Sequence, residues 1–457
     1  MLVVSKASCR ASCGFNWAGN ALLFLHIDVC NVSRLDVSWN LPSNQRSHTL
    51  LDQNFTGKSL LRLTSIKDII RFRLGRKRSD YLEKLDLVAK NILDKGCDFS
   101  TLAFYTKKGK RVFKPQSLES VYSLRRVNKI LGRIYKVKQA DRDTITKQIS
   151  SLISDTSYYT IIKGDIKSFY EAIPRDTVIA KVESNRILSY QNRRIIRQVF
   201  SCPAVSGTPG LPRGVSISAS LSELYIREFD RYVRALKGVY YYARYVDDFI
   251  IFCHAESDRI QGEVEKKLKQ LGLDINHKKI KIINSNDMFK KANYLSFLGY
   301  EHIIDTASPP IIRISKNRIR KLKTRIALAF LDLAKNKDVD LLCLRLKFIT
   351  GNYLIREPFK ADGSSQGLMA GFYYNNKNLS DTQQIKDLDT YLMKLCRSKR
   401  GSIYRIVGSR CMREASIATQ GISFNKGFNQ RMIYSIAKTE FALIKECWKR
   451  ESEYEKQ

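Results

Sequence analysis

The stretch Tyr240-Tyr241-Tyr242-Ala243-Arg244-Tyr245-Val246-Asp247-Asp248-Phe249 places two adjacent carboxylates between aromatic and β-branched runs. Residues 239–245 and 249–252 read as two short strands, so the Asp pair falls in a tight turn between them. Asp is favoured in turns for its own sake, and the dipeptide alone describes no more than a polar hairpin tip. Neighbouring carboxylates nevertheless repel unless positive charge lies beside them. Magnesium meets that need, because it takes hard oxygen ligands and keeps part of its water shell.

Upstream, the β-branched residues 159–162 predict a strand entering Asp165, within Gly164-Asp165-Ile166-Lys167-Ser168-Phe169-Tyr170. Two neighbouring strands would bring Asp165 and Asp247 to a shared pair of ions. Two metals about 4 Å apart can activate a primer 3′-hydroxyl and stabilise the leaving pyrophosphate in an in-line displacement. Around this point the spacing predicts helices over 191–200, 218–236 and 258–271. The strand–helix–strand–strand–helix order suits a ferredoxin-like α+β core.

Further out the signals weaken. The first fifty residues show no clear period. From Ser59 the apolar spacing is helical, through Ile66, Ile69, Ile70 and Leu74 and again from Tyr81 to Leu93. Gly109 among the basic residues of Lys107-Lys108-Gly109-Lys110-Arg111 predicts a hairpin turn. Residues 122–142 are rich in Lys and Arg, and the alternation Ile134-Tyr135-Lys136-Val137-Lys138 predicts a strand with one wet face. From Ser315 the chain reads as mostly helical and basic. Arg318, Lys321 and Arg325 recur at spacings of three and four, which places them on one helix face, either solvated or lining a groove. Gly363-Ser364-Ser365-Gln366-Gly367 reads as a loop, and no internal repeat is evident.

Of the 457 residues, 80 are Lys or Arg and 44 are Asp or Glu, a formal net charge of +36. An excess of that size, spread through the chain, attracts a polyanion, and nucleic acid is the commonest. The 44% apolar fraction excludes wholesale disorder. The ten cysteines form no CxxC pair, so neither a zinc knuckle nor a thioredoxin-type site is indicated. Free thiols in a reducing cytoplasm account for them. The apolar stretch 21–29 is too short to span a bilayer and holds His26 and Asp28. Lys6 and Arg10 precede it, but no small-residue cleavage site follows, so a signal peptide is not expected.

With these residues quoted, a resemblance is plain. Tyr245-Val246-Asp247-Asp248 resembles the YxDD motif of reverse transcriptases. Other motifs follow in that family's order. Asp165 to Tyr170 resembles the first palm motif, an Asp with an aromatic five residues on. Leu211-Pro212-Arg213-Gly214-Val215-Ser216-Ile217-Ser218 resembles LPQGxxxS, and Leu271-Gly272-Leu273-Asp274-Ile275-Asn276-His277-Lys278-Lys279 resembles LGLxxNxxK. Phe297-Leu298-Gly299-Tyr300 resembles the primer grip, and Asp141-Arg142 the pair that follows the fingers hairpin in bacterial members.

The resemblance implies an α+β right-hand polymerase with fingers, a ferredoxin-like palm and a mainly helical thumb. The implied division is an N-terminal extension over 1–58, fingers over 59–157, palm over 158–305, and a basic helical thumb and C-terminal region over 306–457. The implied activity is RNA-directed DNA polymerisation with two Mg2+ ions, or Mn2+ in their place, held by Asp165, Asp247, Asp248 and the Ile166 carbonyl. Tyr170 matches the steric gate that excludes a 2′-hydroxyl. Gly214 would let the backbone approach the incoming base. Ser218 opens the following helix, as a cap or a substrate contact. Arg133, Lys136 and Lys138, placed on the fingers hairpin, would meet the triphosphate. Lys279 matches the lysine that protonates pyrophosphate, with Lys278 its neighbour should the register shift. Phe297, Leu298, Gly299, Arg318, Lys321 and Arg325 would contact primer and template. Arg213 departs from the family's Gln, replacing a donor and acceptor with a fixed charge that only donates.

Within the family, the segments around Ser222-Glu223-Leu224-Tyr225, Phe229-Asp230 and Leu344 to Tyr353 resemble the prokaryotic defence-associated "unknown group" and abortive-infection lineage, and the compact length resembles the smaller subunit of its type three two-polymerase systems. That implies antiviral defence, a non-coding RNA template, dNTP substrates, a DNA product, and a second reverse transcriptase subunit or a homo-oligomer, with no membrane. A retron-type enzyme, an RNA-binding scaffold or maturase, and an RNA-dependent RNA polymerase are the rivals. Clustered carboxylates, which repel phosphate, favour an enzyme over a scaffold. Tyr170 speaks against ribonucleotide use, and Arg213 keeps the scaffold open.

Overall fold

The computed structural model describes residues 51–448 apart from 101, 108, 156, 185, 255, 287–293, 306–307, 357–367, 398 and 438–439. The N-terminal extension as far as residue 50 and the loop Gly363 to Gly367 therefore lie outside the described residues.

The chain begins with short helices α1 (Gly57–Leu61) and α2 (Ile66–Arg71), then α3 (Arg78–Lys95). A ribbon of β1 (Ala103–Lys107) and β2 (Lys110–Lys114) precedes α4 (Leu118–Ile134) and α5 (Arg142–Ile153). Next come β3 (Thr160–Asp165), α6 (Phe169–Ala172), α7 (Arg175–Ser184), α8 (Tyr190–Ser201), α9 (Pro203–Ser206) and α10 (Ser216–Ala235). The hairpin β4 (Val239–Tyr245) and β5 (Asp248–Cys253), helix α11 (Ser257–Gln270) and β6 (Lys281–Asn284) complete the central unit. Beyond it lie β7 (Tyr294–Phe297), β8 (Tyr300–Asp305) and β9 (Ser308–Ile314). The C-terminal part holds α12 (Lys316–Asn336), α13 (Val339–Thr350), β10 (Asn352–Arg356), β11 (Leu368–Gly371), α14 (Phe372–Asn376), α15 (Gln383–Arg397), α16 (Ser402–Val407), α17 (Ser409–Ala418), α18 (Phe424–Phe428) and α19 (Glu440–Glu446).

The central sheet runs β4-β5-β3-β6, all antiparallel. With α10 between β3 and β4 and α11 between β5 and β6, this is the split βαβ arrangement of a ferredoxin-like core. β5 is apolar at every position from Phe249 to Cys253, and each is fully buried. The period of two divides them: Phe249 and Ile251 pack into the core built on α4, α8, α10 and α11, whereas Ile250 and Phe252 pack with Ile145 and Ile149 of α5 and Phe297 of β7. A sheet covered on both faces needs such an unbroken apolar strand. Helix α10 buries Ile217, Leu221, Leu224, Phe229 and Val233, the spacing of one helical stripe. The C-terminal helices close a second core around Ile326, Phe330, Leu346 and Leu388.

The structure has the α+β class and the central elements that the sequence predicts, including the hairpin turn between β1 and β2. Two local expectations fail. Residues 134–138 are not a strand. Ile134 is the last residue of α4, whose buried Val121, Leu124, Val127, Ile130 and Leu131 keep helical spacing, and Lys136 has φ +50°. The long helical period outweighs five alternating residues. Nor does Ser218 cap α10, which starts at Ser216 with Val215 at the cap position; Ser218 is buried and donates to the Pro212 carbonyl at 2.7 Å. The three-stranded sheet β7-β8-β9 and the ribbon β10–β11 were not foreseen. All seven cysteines among the described residues are free thiols. No helix among the described residues is long and apolar enough to cross a membrane.

His302 on β8 is fully buried, and neither ring nitrogen has a hydrogen-bond partner. Burial pushes its pKa down to about 4 from the ordinary 6.5. The unfolded chain therefore takes up a proton before the native one does, and stability falls as pH drops through that window. The loss should be on the order of 3 kcal/mol between pH 7 and pH 4. His302→Phe should flatten this part of the denaturation profile, and an unchanged profile would show that His302 is not its source.

Candidate active site

β3 and β5 pair so that Asp165 stands opposite Asp248. Directly opposed residues on antiparallel strands project to the same face, so both carboxylates lie on the α5 side of the sheet. Asp247 occupies the turn, which closes at the Tyr245–Asp248 pair. Val246 before it has φ +61°. A β-branched residue in that region carries strain on the order of 1–3 kcal/mol, tolerated only where the surroundings impose it. The Ile166 amide donates to the Asp247 carbonyl at 3.0 Å, so the turn is tied back to the end of β3.

The segment after α11 closes the site from the other side. Asn276 donates through its amide to the Asp165 carbonyl at 2.8 Å and through Nδ2 to the carboxylate at 3.2 Å. The Lys279 ammonium lies 2.9 Å from Asp165 Oδ1. That hydrogen bond raises the Lys279 pKa. Lys279, not Lys278, is the lysine at the carboxylates. Burial, then the charges of Asp247 and Asp165, push Asp248 up to about 6. Asp247 is raised too, by burial and then by Asp165. Asp247 and Asp248, which burial and the neighbouring carboxylates push toward protonation, stand with Asp165 and one lysine as a donor set that suits a hard divalent cation. Asp165 is turned to Lys279 and Asn276, and no group of three or more His, Cys, Asp or Glu among the described residues is gathered for a metal ion.

Next to the carboxylates lies Tyr170, half-buried, its ring edge-on to Phe169 and the Arg213 guanidinium 5.1 Å from its centroid. Glu171 accepts from Arg213 Nη2 at 3.0 Å and from the Lys110 ammonium of β2 at 3.0 Å. Burial alone would raise its pKa, but the hydrogen bonds from Arg213 and Lys110 outweigh it and hold Glu171 near about 2. The charge that replaces the family's Gln is thus paired within the pocket. Gly214 has φ +85°, and a Cβ there would lie 2.3 Å from the Phe113 carbonyl oxygen. The close approach at this glycine is therefore made by β2, which also donates from the Phe113 amide to the Arg213 carbonyl at 2.8 Å.

The remaining sequence candidates fall into three places. Lys136 and Lys138 border a cavity of about 510 Å³ with Glu223, Arg227, Asp230 and Arg231, and Arg133 is in the last turn of α4. None of the three lies on the hairpin to which the motif order assigned them; that hairpin is β1–β2, and it supplies Lys110. Phe297, Leu298 and Gly299 line a cavity of about 400 Å³ together with Asp248, Lys163 and Arg142. Leu298 and Gly299 form the β7–β8 turn with φ +46° and +80°, the backbone of a tight two-residue hairpin. Arg142 Nε and Arg318 Nη1 donate to the Leu298 and Gly299 carbonyls at 2.9 and 3.3 Å. Arg318, Lys321 and Arg325 of α12 line a third cavity, about 950 Å³, with Tyr105 and Lys107 of β1 and Trp448. Sequence reasoning gave no role to Lys110, Glu171, Asn276 or Arg244, although Asn276 is the Asn of the LGLxxNxxK-like segment, Glu171 follows Tyr170 and Arg244 precedes Tyr245.

With this geometry in hand, the class of the central unit follows. Residues 106–302 match the family of reverse transcriptases (RNA-dependent DNA polymerases). Among curated proteins none matches the chain. Among solved structures, apo telomerase from Candida tropicalis, truncated from the C-terminal domain, is similar with 13% identity over 54% of this chain and a TM-score of 0.33. The chain spans 50% of that telomerase chain.

Gly214→Ala should destabilise the protein by on the order of 1–3 kcal/mol in urea denaturation, because the new methyl meets the Phe113 carbonyl in a strained backbone region. A midpoint equal to the parent's would mean that β2 moves aside freely.

Proposed function

We propose that the chain is an RNA-directed DNA polymerase whose catalytic carboxylates are Asp165, Asp247 and Asp248. The observation that carries the reading is the pairing of Asp165 with Asp248 across β3 and β5, with Asp247 in the adjoining turn, inside the segment that matches the reverse transcriptase family. The three carboxylates, with the Ile166 carbonyl, would hold the magnesium ions. When bound, the ions lower the pKa of the primer 3′-hydroxyl and neutralise charge on the leaving pyrophosphate.

The chain's own residues supply the rest. The Tyr170 ring, edge-on to Phe169 and with the Arg213 guanidinium over it, would stand beneath the sugar and exclude a 2′-hydroxyl. Gly214 holds β2 against the pocket and Arg213 keeps its charge on Glu171, which supports an enzyme over a scaffold because the departure from Gln is compensated in place. Lys279, fully protonated beside Asp165, is placed to give a proton to pyrophosphate. The Phe297–Gly299 turn borders the same cavity as Asp248 and would seat the primer end. Arg318, Lys321 and Arg325 line the cavity that faces the β1–β2 ribbon, a basic wall suited to template phosphates. On this reading residues 59–157 are fingers, 158–305 palm, and 306–457 thumb and C-terminal region. The motif resemblance further supports antiviral defence with a non-coding RNA template and a second polymerase subunit.

In magnesium-dependent primer extension with dNTPs, Asp165→Asn, Asp247→Asn and Asp248→Asn should each reduce the rate by on the order of 10²–10³-fold. Near-parental extension by Asp247→Asn would sink the site assignment. Tyr170→Ala should raise ribonucleotide use relative to deoxynucleotide use. Replacing Arg318, Lys321 and Arg325 together by Ala should lower the slope of log affinity against log salt by about 3 for a primer–template duplex. An unchanged slope would remove α12 from the groove.

A further inference from the structure

Arg244, the residue before the YxDD-like turn, is a buried cation that the reading above does not use. Its side chain is 4% exposed. All five guanidinium N–H donors are engaged. Nε and Nη2 donate to Asp230 at 2.8 Å each, Nη1 and Nη2 donate to Glu223 at 3.2 and 2.7 Å, and the last Nη1 hydrogen goes to the Val246 carbonyl at 2.7 Å. Glu223 and Asp230 are seven residues apart on α10, two turns along one face, so the helix presents a double carboxylate fork to a single guanidinium. Tyr242 adds a hydroxyl donor to Asp230 at 2.7 Å. The two forks consume four of the donors and fix the plane of the group, which leaves the fifth aimed at the turn.

That fifth bond falls on a strained element. Val246 has φ +61°, and its carbonyl belongs to the peptide that joins it to Asp247. The next carbonyl, that of Asp247, accepts from the Ile166 amide at 3.0 Å. Both peptides flanking Asp247 are therefore anchored, one through Arg244 to α10 and the other to the end of β3. We propose that Arg244 is a positioning residue: by fixing the Val246–Asp247 peptide from α10, it aims the Asp247 carboxylate into the site shared with Asp165. The inference rests on the polymerase reading for its chemical meaning, but the clamp itself is a property of the turn. A lysine has no planar fork and cannot span both carboxylates and the carbonyl at once. A structural ion pair would act on global stability alone, whereas a clamp acts on the turn and on what the turn holds.

The test uses the full chain in two forms. Arg244→Lys keeps the charge and loses the fork. Arg244→Met with Glu223→Gln and Asp230→Asn removes the clamp without leaving buried charge unpaired, and serves if the lysine form does not fold. Amide exchange over residues 245–247 should accelerate on the order of tenfold or more in either form while β3 and β5 stay protected. Mn2+ affinity, read by electron paramagnetic resonance, should weaken on the order of 10- to 100-fold, and kcat should fall similarly with the dNTP KM little changed. Parental exchange in the turn together with parental Mn2+ affinity in a folded variant would overturn the proposal. If the parent chain itself neither binds Mn2+ nor extends a primer, the polymerase reading fails instead, and exchange at the turn still decides whether Arg244 clamps it.

Discussion

Everything at the site depends on the register of β3 against β5. With Asp165 opposite Asp248, the carboxylates share one face and Asp247 falls at the turn. A slip of one residue would send Asp165 to the α10 face, among Ile162, Phe249 and Ile251, where a carboxylate has no partner. The slip is blocked by burial on both sides. Because β5 alternates between two separate cores, shifting it would move every one of its side chains into the wrong one. The hydrophobic pattern of the sheet thus sets the spacing of its charges.

A second constraint acts through the ribbon. β2 is joined to the loop before α10 by a main-chain hydrogen bond and by a carboxylate that two cations share, Lys110 from the ribbon and Arg213 from the loop. The same Arg213 lies against Tyr170. One connected set of contacts therefore runs from the ribbon to the ring beside the carboxylates, and the side chain that departs from the family's pattern sits at its centre.

Much of this was legible in the sequence. The β-branched and aromatic runs around Asp247-Asp248, the strand into Asp165 and the long apolar stripe of α10 each carry a strong period, and each is where that period puts it. The β7–β9 sheet was hidden because β9 carries Pro309 and Pro310 directly after its first residue, and prolines argue against a strand. Charge was a poor guide to position. Arg133, Lys136 and Lys138 are as basic as Lys110, but nothing in the local sequence says which surface a lysine will reach. Glu171 and Arg244 escaped notice for the opposite reason. Their roles come from partners 42 and 14–21 residues away, which only the fold brings together. Glu223 and Asp230 gave no sign of it, because Arg227 and Arg234, four residues on from each, make them read as ordinary surface pairs of a helix.

The ribbon also has an unprotected side. All five residues of β1 are exposed, and its outer edge pairs with no other strand among the described residues. An open edge with Phe104 and Tyr105 half exposed invites a second copy of the chain to add a strand. Lys107, Lys110, Arg111 and Lys114 give the ribbon a density of like charge that two copies would have to bring face to face. Whatever these cations bind in function, they also keep the molecule from assembling edge to edge at high concentration, so trimming them to weaken nucleic-acid affinity would carry a cost in solubility.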